Sequence, residues 1–439
     1  MARRPGPPST VQRFTLDNGL SVVLAPVPGC PTASVWVWYR VGSKNETPGI
    51  TGASHWVEHM LFQGSPRYGK GAMDRAVVEV GGELNAFTDT DFTAYFTTVP
   101  SEHLAVPLDI ESDRMTRALF DPPEVERERT VIRSEREGNE NWPEFLAEEE
   151  LYHLAFRTHP YRWDPLGLPG DILALTPRGL KEYYQKYYGT RNAVLVVAGG
   201  FDASDLRREV HRRFARLPRT GADPTVHTVE PPPNAERRAE LTGPGTTPYL
   251  EVGFRAPGIQ DPDLPATILL DVILGGENRL YAVGNTWGRS REHPSARLYR
   301  RLVDRGLAVR AVSEFRPRVH PGLFTLHVQA ARGVAPTRVE AALDAELDRF
   351  IRSGPTSAEI AEAKRKLARA ATLAYEGATR TGFRLGYFAM MGGPRMEVEL
   401  LRRVLATRAN EVHRVARSLL ERIGRTNVWY IPTQGGHGA

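Results

Sequence analysis

The feature that most constrains this chain is an approximate internal repeat, which divides its 439 residues into two halves of similar plan. In the first half the alternating segment Ala33 to Gly42 leads through a loop into a helical pattern starting near Thr51. In the second half Tyr249 to Ala256 leads through Pro257 to Pro265 into the apolar run Ala266 to Leu274. Apolar residues at every second position predict half-buried strands, so both halves open with a strand that feeds a helix. They also close alike. Gly189-Thr190-Arg191-Asn192 precedes the apolar run Ala193 to Val197, and Gly424-Arg425-Thr426-Asn427 precedes Val428 to Ile431. A chain of this size exceeds what one core usually covers, and a repeated unit must bury its apolar face twice. Two homologous domains are therefore expected. The helical stretches Asp121 to Phe156 and Ser357 to Arg380 lie among these strands. They predict α+β domains, each a mixed or antiparallel sheet with helices packed on it. Thr220 to Asn234, polar and rich in proline, reads as the linker. This sets the boundary at residue 225 and the domains at 1–225 and 226–439. Glu277 to Pro294 is longer than a simple connection needs and has no role in this plan.

Composition narrows the class without giving a function. With 41% hydrophobic and 25% charged residues, the chain has the balance of a globular protein. Its net charge of +5 is dispersed, with arginines interleaved among acids as in Glu124 to Glu137, so no nucleic-acid partner is expected. The single cysteine, Cys30, excludes an internal disulfide and a multi-cysteine zinc site. Met1 to Pro8 carries two arginines with no apolar run behind them, and no later segment is long enough to cross a bilayer. A cytoplasmic protein with no membrane partner is expected, the alternative being an exported one whose signal is not part of this chain.

The chemistry concentrates in Thr51 to Phe62, whose composition favours a helix. On a helix His55, Glu58 and His59 share one face, so two imidazoles four residues apart can grip one ion. Hydrolytic zinc sites want three protein ligands, an open position for water, and a carboxylate that takes the water's proton. Glu58 stands where that base belongs, and the third ligand has to come from another segment. The glutamate-rich helix after Asp121-Pro122-Pro123 is the candidate source. At about 100° per residue Glu128 and Glu135 lie within roughly 20° of each other, on the face of Val131 and Ile132. Acids on an apolar face need a buried partner, and a metal centre with histidine ligands provides one.

Three segments together resemble the pitrilysin, or insulinase, family of inverted-motif zinc peptidases. They are His55-Trp56-Val57-Glu58-His59 through Ser65, Gly81-Gly82-Glu83-Leu84-Asn85-Ala86-Phe87-Thr88 with Asp91 and Thr93, and Glu126-Arg127-Glu128-Arg129 through Glu135. The resemblance spans nearly the whole chain and is strongest to the short branch that includes the mitochondrial processing peptidase. It implies one Zn²⁺ per chain on His55, His59 and Glu135, with Glu58 as base and Glu128 supporting the site from behind. It also implies that an extended peptide adds to the edge strand at Asn85, Ala86 and Phe87. The implied fold is half of a clamshell.

One departure shapes the functional expectation. Peptidases of that family hold the substrate carbonyl with an arginine and a tyrosine seven residues apart in the second type of domain. The matching positions here are Leu302 and Val309, with Arg301 one residue out of place. Leu270-Asp271-Val272-Ile273 stands where a second metal motif would fall. The resemblance thus implies a zinc endopeptidase of unfolded peptides that forms the catalytic subunit of a heterodimer, its homologous partner supplying the missing pair. Two alternatives stay open: a scaffold subunit that hydrolyses nothing by itself, and a homo-oligomeric (for instance homodimeric) peptidase.

Overall fold

The computed structural model describes residues 11–276, 293–393 and 395–434. Most of Glu277 to Pro294, at 277–292, lies outside them, as do the first ten residues. The first half contains β1 (Gln12–Thr15), β2 (Ser21–Pro26), β3 (Thr32–Tyr39), α1 (Ala53–Met60), α2 (Ala72–Val78), β4 (Glu83–Thr88) and β5 (Thr93–Pro100). It continues with α3 (Ala105–Arg117), α4 (Pro122–Glu140), α5 (Pro143–Ala155), α6 (Pro169–Ala174), α7 (Pro177–Tyr187), β6 (Ala193–Gly199) and α8 (Ala203–Phe214). The second half contains β7 (Arg237–Gly245), β8 (Tyr249–Ala256), α9 (Leu264–Leu274), a π-helical turn at Tyr299–Val303, β9 (Ala308–Phe315) and β10 (Gly322–Ala330). It closes with α10 (Pro336–Ser353), α11 (Ser357–Leu373), α12 (Gly377–Met391), α13 (Met396–Ala406), α14 (Ala409–Leu419) and β11 (Arg425–Gln434).

The repeat read from the sequence is visible in the sheets. The first runs β1-β2-β6-β3-β5-β4 and the second β7-β11-β8-β10-β9. In each, one strand pair is parallel (β2 with β6, β7 with β11) and the others are antiparallel. The α+β class and the mixed sheets are as expected. The two long helical stretches, by contrast, are each broken. α4 stops at Glu140 before Pro143 opens α5, and α11 ends at Leu373 before Gly377 opens α12. A proline inside a helix removes a backbone donor and clashes with the preceding turn, which is why the first break falls where it does.

These breaks let the halves exchange helices. From the first half, α5 packs on β7, β8 and β11 of the second sheet. From the second half, α12 packs on β3 and β6 of the first. The apolar core reflects this: Phe383 and Phe388 of α12 belong to one cluster with Trp36, Trp38 and Val194. The opposite face of the first sheet buries Val35, Val37 and Leu195 against Trp56, Leu108 and Leu180.

The approach of α12 is close enough to require glycine at two positions one helical turn apart. A Cβ on Gly382 would lie 2.4 Å from the Trp36 indole, and one on Gly386 would lie 1.9 Å from Trp38 Nε1. Gly386→Ala should therefore lower stability by about 2 kcal/mol through overpacking. Gly138→Ala in α4, where an added Cβ meets nothing within 4 Å, should be neutral or stabilising by about 0.5–1 kcal/mol. Urea unfolding midpoints of the two variants check the contrast.

Candidate active site

The site starts from how α1 is anchored. Gly52, in the left-handed region at φ 87°, precedes the helix and offers no side-chain cap. Two carboxylates take over that role. Buried Glu46 accepts from Gly52 N and Ser54 N, both at 2.7 Å. Asp171 Oδ2 accepts from Gly49 N and Thr51 N at 3.0 Å and from the Thr51 hydroxyl at 2.6 Å. Carboxylates near a helix N-terminus satisfy donors that the helix cannot, and they complement its dipole. Gly167 lies so close to the same corner that a Cβ there would sit 2.5 Å from Thr51 O.

From this anchored helix, the His55 and His59 side chains turn toward α4. Their Nε2 atoms are 3.3 Å apart, and Glu135 Oε2 lies 3.6 Å from each. On the other side of His59, Nδ1 lies 3.0 Å from Glu128 Oε2, while Gln63 donates to Glu128 Oε1 at 2.7 Å. This contact places a proton on Nδ1 and turns Nε2 toward His55 and Glu135, the orientation a metal ligand needs. Glu58, almost fully buried, accepts a 2.6 Å hydrogen bond from the Thr88 hydroxyl at the end of β4. α4 is held in turn by Arg136, which forms a two-bond ion pair with Glu149 of α5, at 2.7 and 2.6 Å, and donates to Gly167 O at 3.2 Å.

Burial and neighbouring charges set the protonation of these groups. Burial pushes the Glu58 carboxyl up to about 7, against the Thr88 hydrogen bond and the His59 charge, which favour the ionised form. For His59 burial opposes the charge, but hydrogen bonding to Glu128 and interaction with Glu135 outweigh it and raise the imidazole to about 10. Burial and then the nearby His59 charge push His55 down to about 4. Two imidazoles this close do not both become imidazolium, whereas the carboxylates around them favour a cation between them.

The residues present fit a zinc ion on the chemistry and spacing of their donors. Ligand atoms about 2.0–2.1 Å from a tetrahedral ion lie about 3.3–3.4 Å from one another. Among the described residues His55, His59 and Glu135 are the one group of three or more metal-ligating side chains whose donor atoms converge, all within 4.8 Å.

Some sequence expectations need correction. Val131 does not share the buried face of α4: it is 49% exposed, and the buried stripe runs Val125, Glu128, Ile132 and Arg136. The angular estimate centred that stripe between Glu128 and Glu135, but the packed face is rotated toward Arg136. Glu128 is buried, while Glu135 sits on the rim with 43% of its side chain exposed. Asn85 is exposed on the edge strand β4, its Oδ1 accepting from Ala86 N at 2.8 Å. The side chain of Phe87 instead packs among Trp36, Trp38, Phe92 and Phe383. Leu302 is fully buried and Val309 is 51% exposed on β9.

Sequence reasoning did not single out Thr88, Gln63, Glu46 or Asp171 for the site. Gln63 follows His59 by one helical turn, a spacing that could have flagged it. No local signal marks Glu46, which lies in the loop before α1, or Asp171, which reaches it from α6.

Comparison with known proteins agrees with this geometry. The family model described as insulinase (peptidase family M16) matches residues 21–164, and that of the peptidase M16 inactive domain matches residues 174–367. The chain belongs to the M16, or insulinase, family of peptidases. It is a metalloprotease. An uncharacterized zinc protease of Streptomyces coelicolor is 29% identical over 94% of this chain and 88% of its own length. The beta subunit of the mitochondrial-processing peptidase of Lentinula edodes is 26% identical over 92% of this chain and 86% of its own. The crystal structure of a protease from Helicobacter pylori has the same fold, with a TM-score of 0.88 at 23% identity, covering 98% of this chain and all of that one. The fold is thus the expected M16 half-clamshell. Among the described residues no helix is long and apolar enough to cross a membrane.

If Glu128 orients His59, Glu128→Ala should weaken zinc binding roughly 10- to 100-fold. Competition against a chromogenic chelator measures it, and unchanged affinity would remove Glu128 from the site.

Proposed function

We propose that this chain is a zinc-dependent endopeptidase of unfolded peptides and the catalytic subunit of a heterodimer. In this reading residues 1–225 carry one zinc, and residues 226–439 form a homologous domain without metal. The convergence of His55 Nε2, His59 Nε2 and Glu135 Oε2 beside the buried Glu58 is the observation that carries the proposal.

Zinc held by His55, His59 and Glu135 supplies a Lewis acid that makes water acidic and polarises a peptide carbonyl. Glu58 takes a proton from the attacking water and delivers it to the departing amide nitrogen, so one carboxylate serves as base and then as acid. Glu128 keeps His59 in the tautomer that offers Nε2. Substrate backbone pairs with the edge strand β4 along Asn85, Ala86 and Phe87, where main-chain hydrogen bonds select an extended chain over a folded one. A polar cavity of about 580 Å³ extends from Thr88 and Asp89 past Tyr152 of α5 to His327 of β10. It begins at Thr88, the residue bonded to Glu58, and offers room for side chains.

A partner is inferred from what Leu302 and Val309 lack. A buried leucine and an exposed valine have no donor for a developing oxyanion, and such donors are a large part of acyl-transfer catalysis. A homologous second subunit would supply them, and one relative is by its name a subunit.

Glu58→Gln should bind zinc as the parent does and lose turnover by about 10²-fold or more. A quenched-fluorescence assay on an unstructured peptide, with metal analysis, checks this. Run with and without a homologous chain, it also separates the alternatives. Turnover by the purified chain alone points to a homo-oligomer, and zinc binding without turnover in any combination points to a scaffold.

A further inference from the structure

We propose that Thr88 is a positioning residue for Glu58, and that the second half of the chain sets Thr88 in place by gripping Asp91 in the turn that follows. The inference rests on the reading of Glu58 as the base. A glutamate base has three rotatable side-chain bonds, and its usefulness depends on where its oxygens are held. The 2.6 Å bond from the Thr88 hydroxyl fixes Oε2. Both residues are buried, so water does not compete for that contact. With one oxygen held, the other is presented to the water proton.

Thr88 is the last residue of β4, and its place depends on the turn joining β4 to β5. From the first half, Ser43 N and Lys44 N donate to Asp89 O and Thr90 O at 3.4 and 3.1 Å. Gly42 approaches so closely that a Cβ there would lie 2.2 Å from Asp89 O. The other side of the turn is held by both halves. Asp91 is buried and accepts from Lys44 Nζ at 3.0 Å and from the Tyr161 hydroxyl at 2.8 Å. It also accepts from Val319 N, in the connection between β9 and β10, at 3.1 Å. Next to it, Arg318 donates to Asp89 at 3.3 Å while lying over the Tyr161 ring, and His320 N donates to the Tyr161 oxygen at 2.9 Å. Two consecutive residues of the second half, Arg318 and Val319, thus bond to a turn whose first strand ends beside the base, and the next, His320, bonds to the Tyr161 oxygen that also reaches Asp91. The half without metal residues acts on catalysis by fixing where Glu58 points.

The test uses the zinc-loaded chain in whichever assembly gives parental turnover, on an unstructured peptide. Thr88→Val keeps the shape and removes the hydroxyl, and Thr88→Ser keeps the hydroxyl. Thr88→Val should lower kcat about 10- to 100-fold with KM within about twofold and zinc content unchanged, and Thr88→Ser should recover to within about threefold of the parent. Asp91→Asn should lower kcat in the same way, again without loss of zinc. Parental kcat in Thr88→Val, no recovery in Thr88→Ser, or loss of zinc from either Thr88→Val or Asp91→Asn would overturn the inference. Glu58→Gln separates the two levels. If it turns over normally, the reading of the base fails. If it is inactive while Thr88→Val is not, only the positioning role fails.

Discussion

The exchange of α5 and α12 between the halves is the constraint on which the rest of this structure depends. Each sheet has two apolar faces, and neither half covers both of its own with its own helices. α12 seals the first sheet at Trp36 and Trp38, and α5 covers the second at β7, β8 and β11. The halves are therefore not two independent bodies joined by a linker. Their relative placement is fixed by side-chain packing, at which interiors admit little slack. Because α4, with Glu128 and Glu135, runs directly into α5, and because Arg136 ties the two helices through Glu149, the metal residues are coupled to that exchange.

The two helix-covered faces differ in a way that bears on function. By the 215-residue offset of the repeat, Trp36 corresponds to Glu251, and their cross-strand partners are Phe96 and His327. In the first sheet this pair is a stacked aromatic contact at 4.3 Å, closed by α12. In the second it is a buried ion pair lining the polar cavity beneath α5. The same architecture places an aromatic stack on one sheet and an ion pair at a cavity wall on the other.

Much of the fold was legible because periodicity reports burial directly. The opening strands at Ala33 and Tyr249, the closing strands at Ala193 and Val428 and the mixed sheets follow from alternation and from the repeat. The helix exchange was not legible. Nothing local to Pro143 or Gly377 says which sheet the following helix covers, because the match is made by distant residues, as Gly382 and Gly386 meet Trp36 and Trp38. In the site, the four-residue spacing of His55 and His59 sufficed to align their donors, since a helix fixes that geometry by itself. The burial of α4 was misjudged at Val131 because helical angle gives relative directions only, and the absolute orientation is set by what the helix packs on.

The sequence by itself determined the strands at Ala33, Ala193, Tyr249 and Val428, the doubling of the plan and the shared face of His55, Glu58 and His59, because these depend on spacing along one strand or helix. Tertiary structure alone decided that Asp171 holds the start of α1 and that the second half reaches the turn after Thr88. The contacts of Asp171 with Thr51 and of Val319 with Asp91 join residues 120 and 228 positions apart. No local pattern encodes them, since they exist only once packing has brought the segments together.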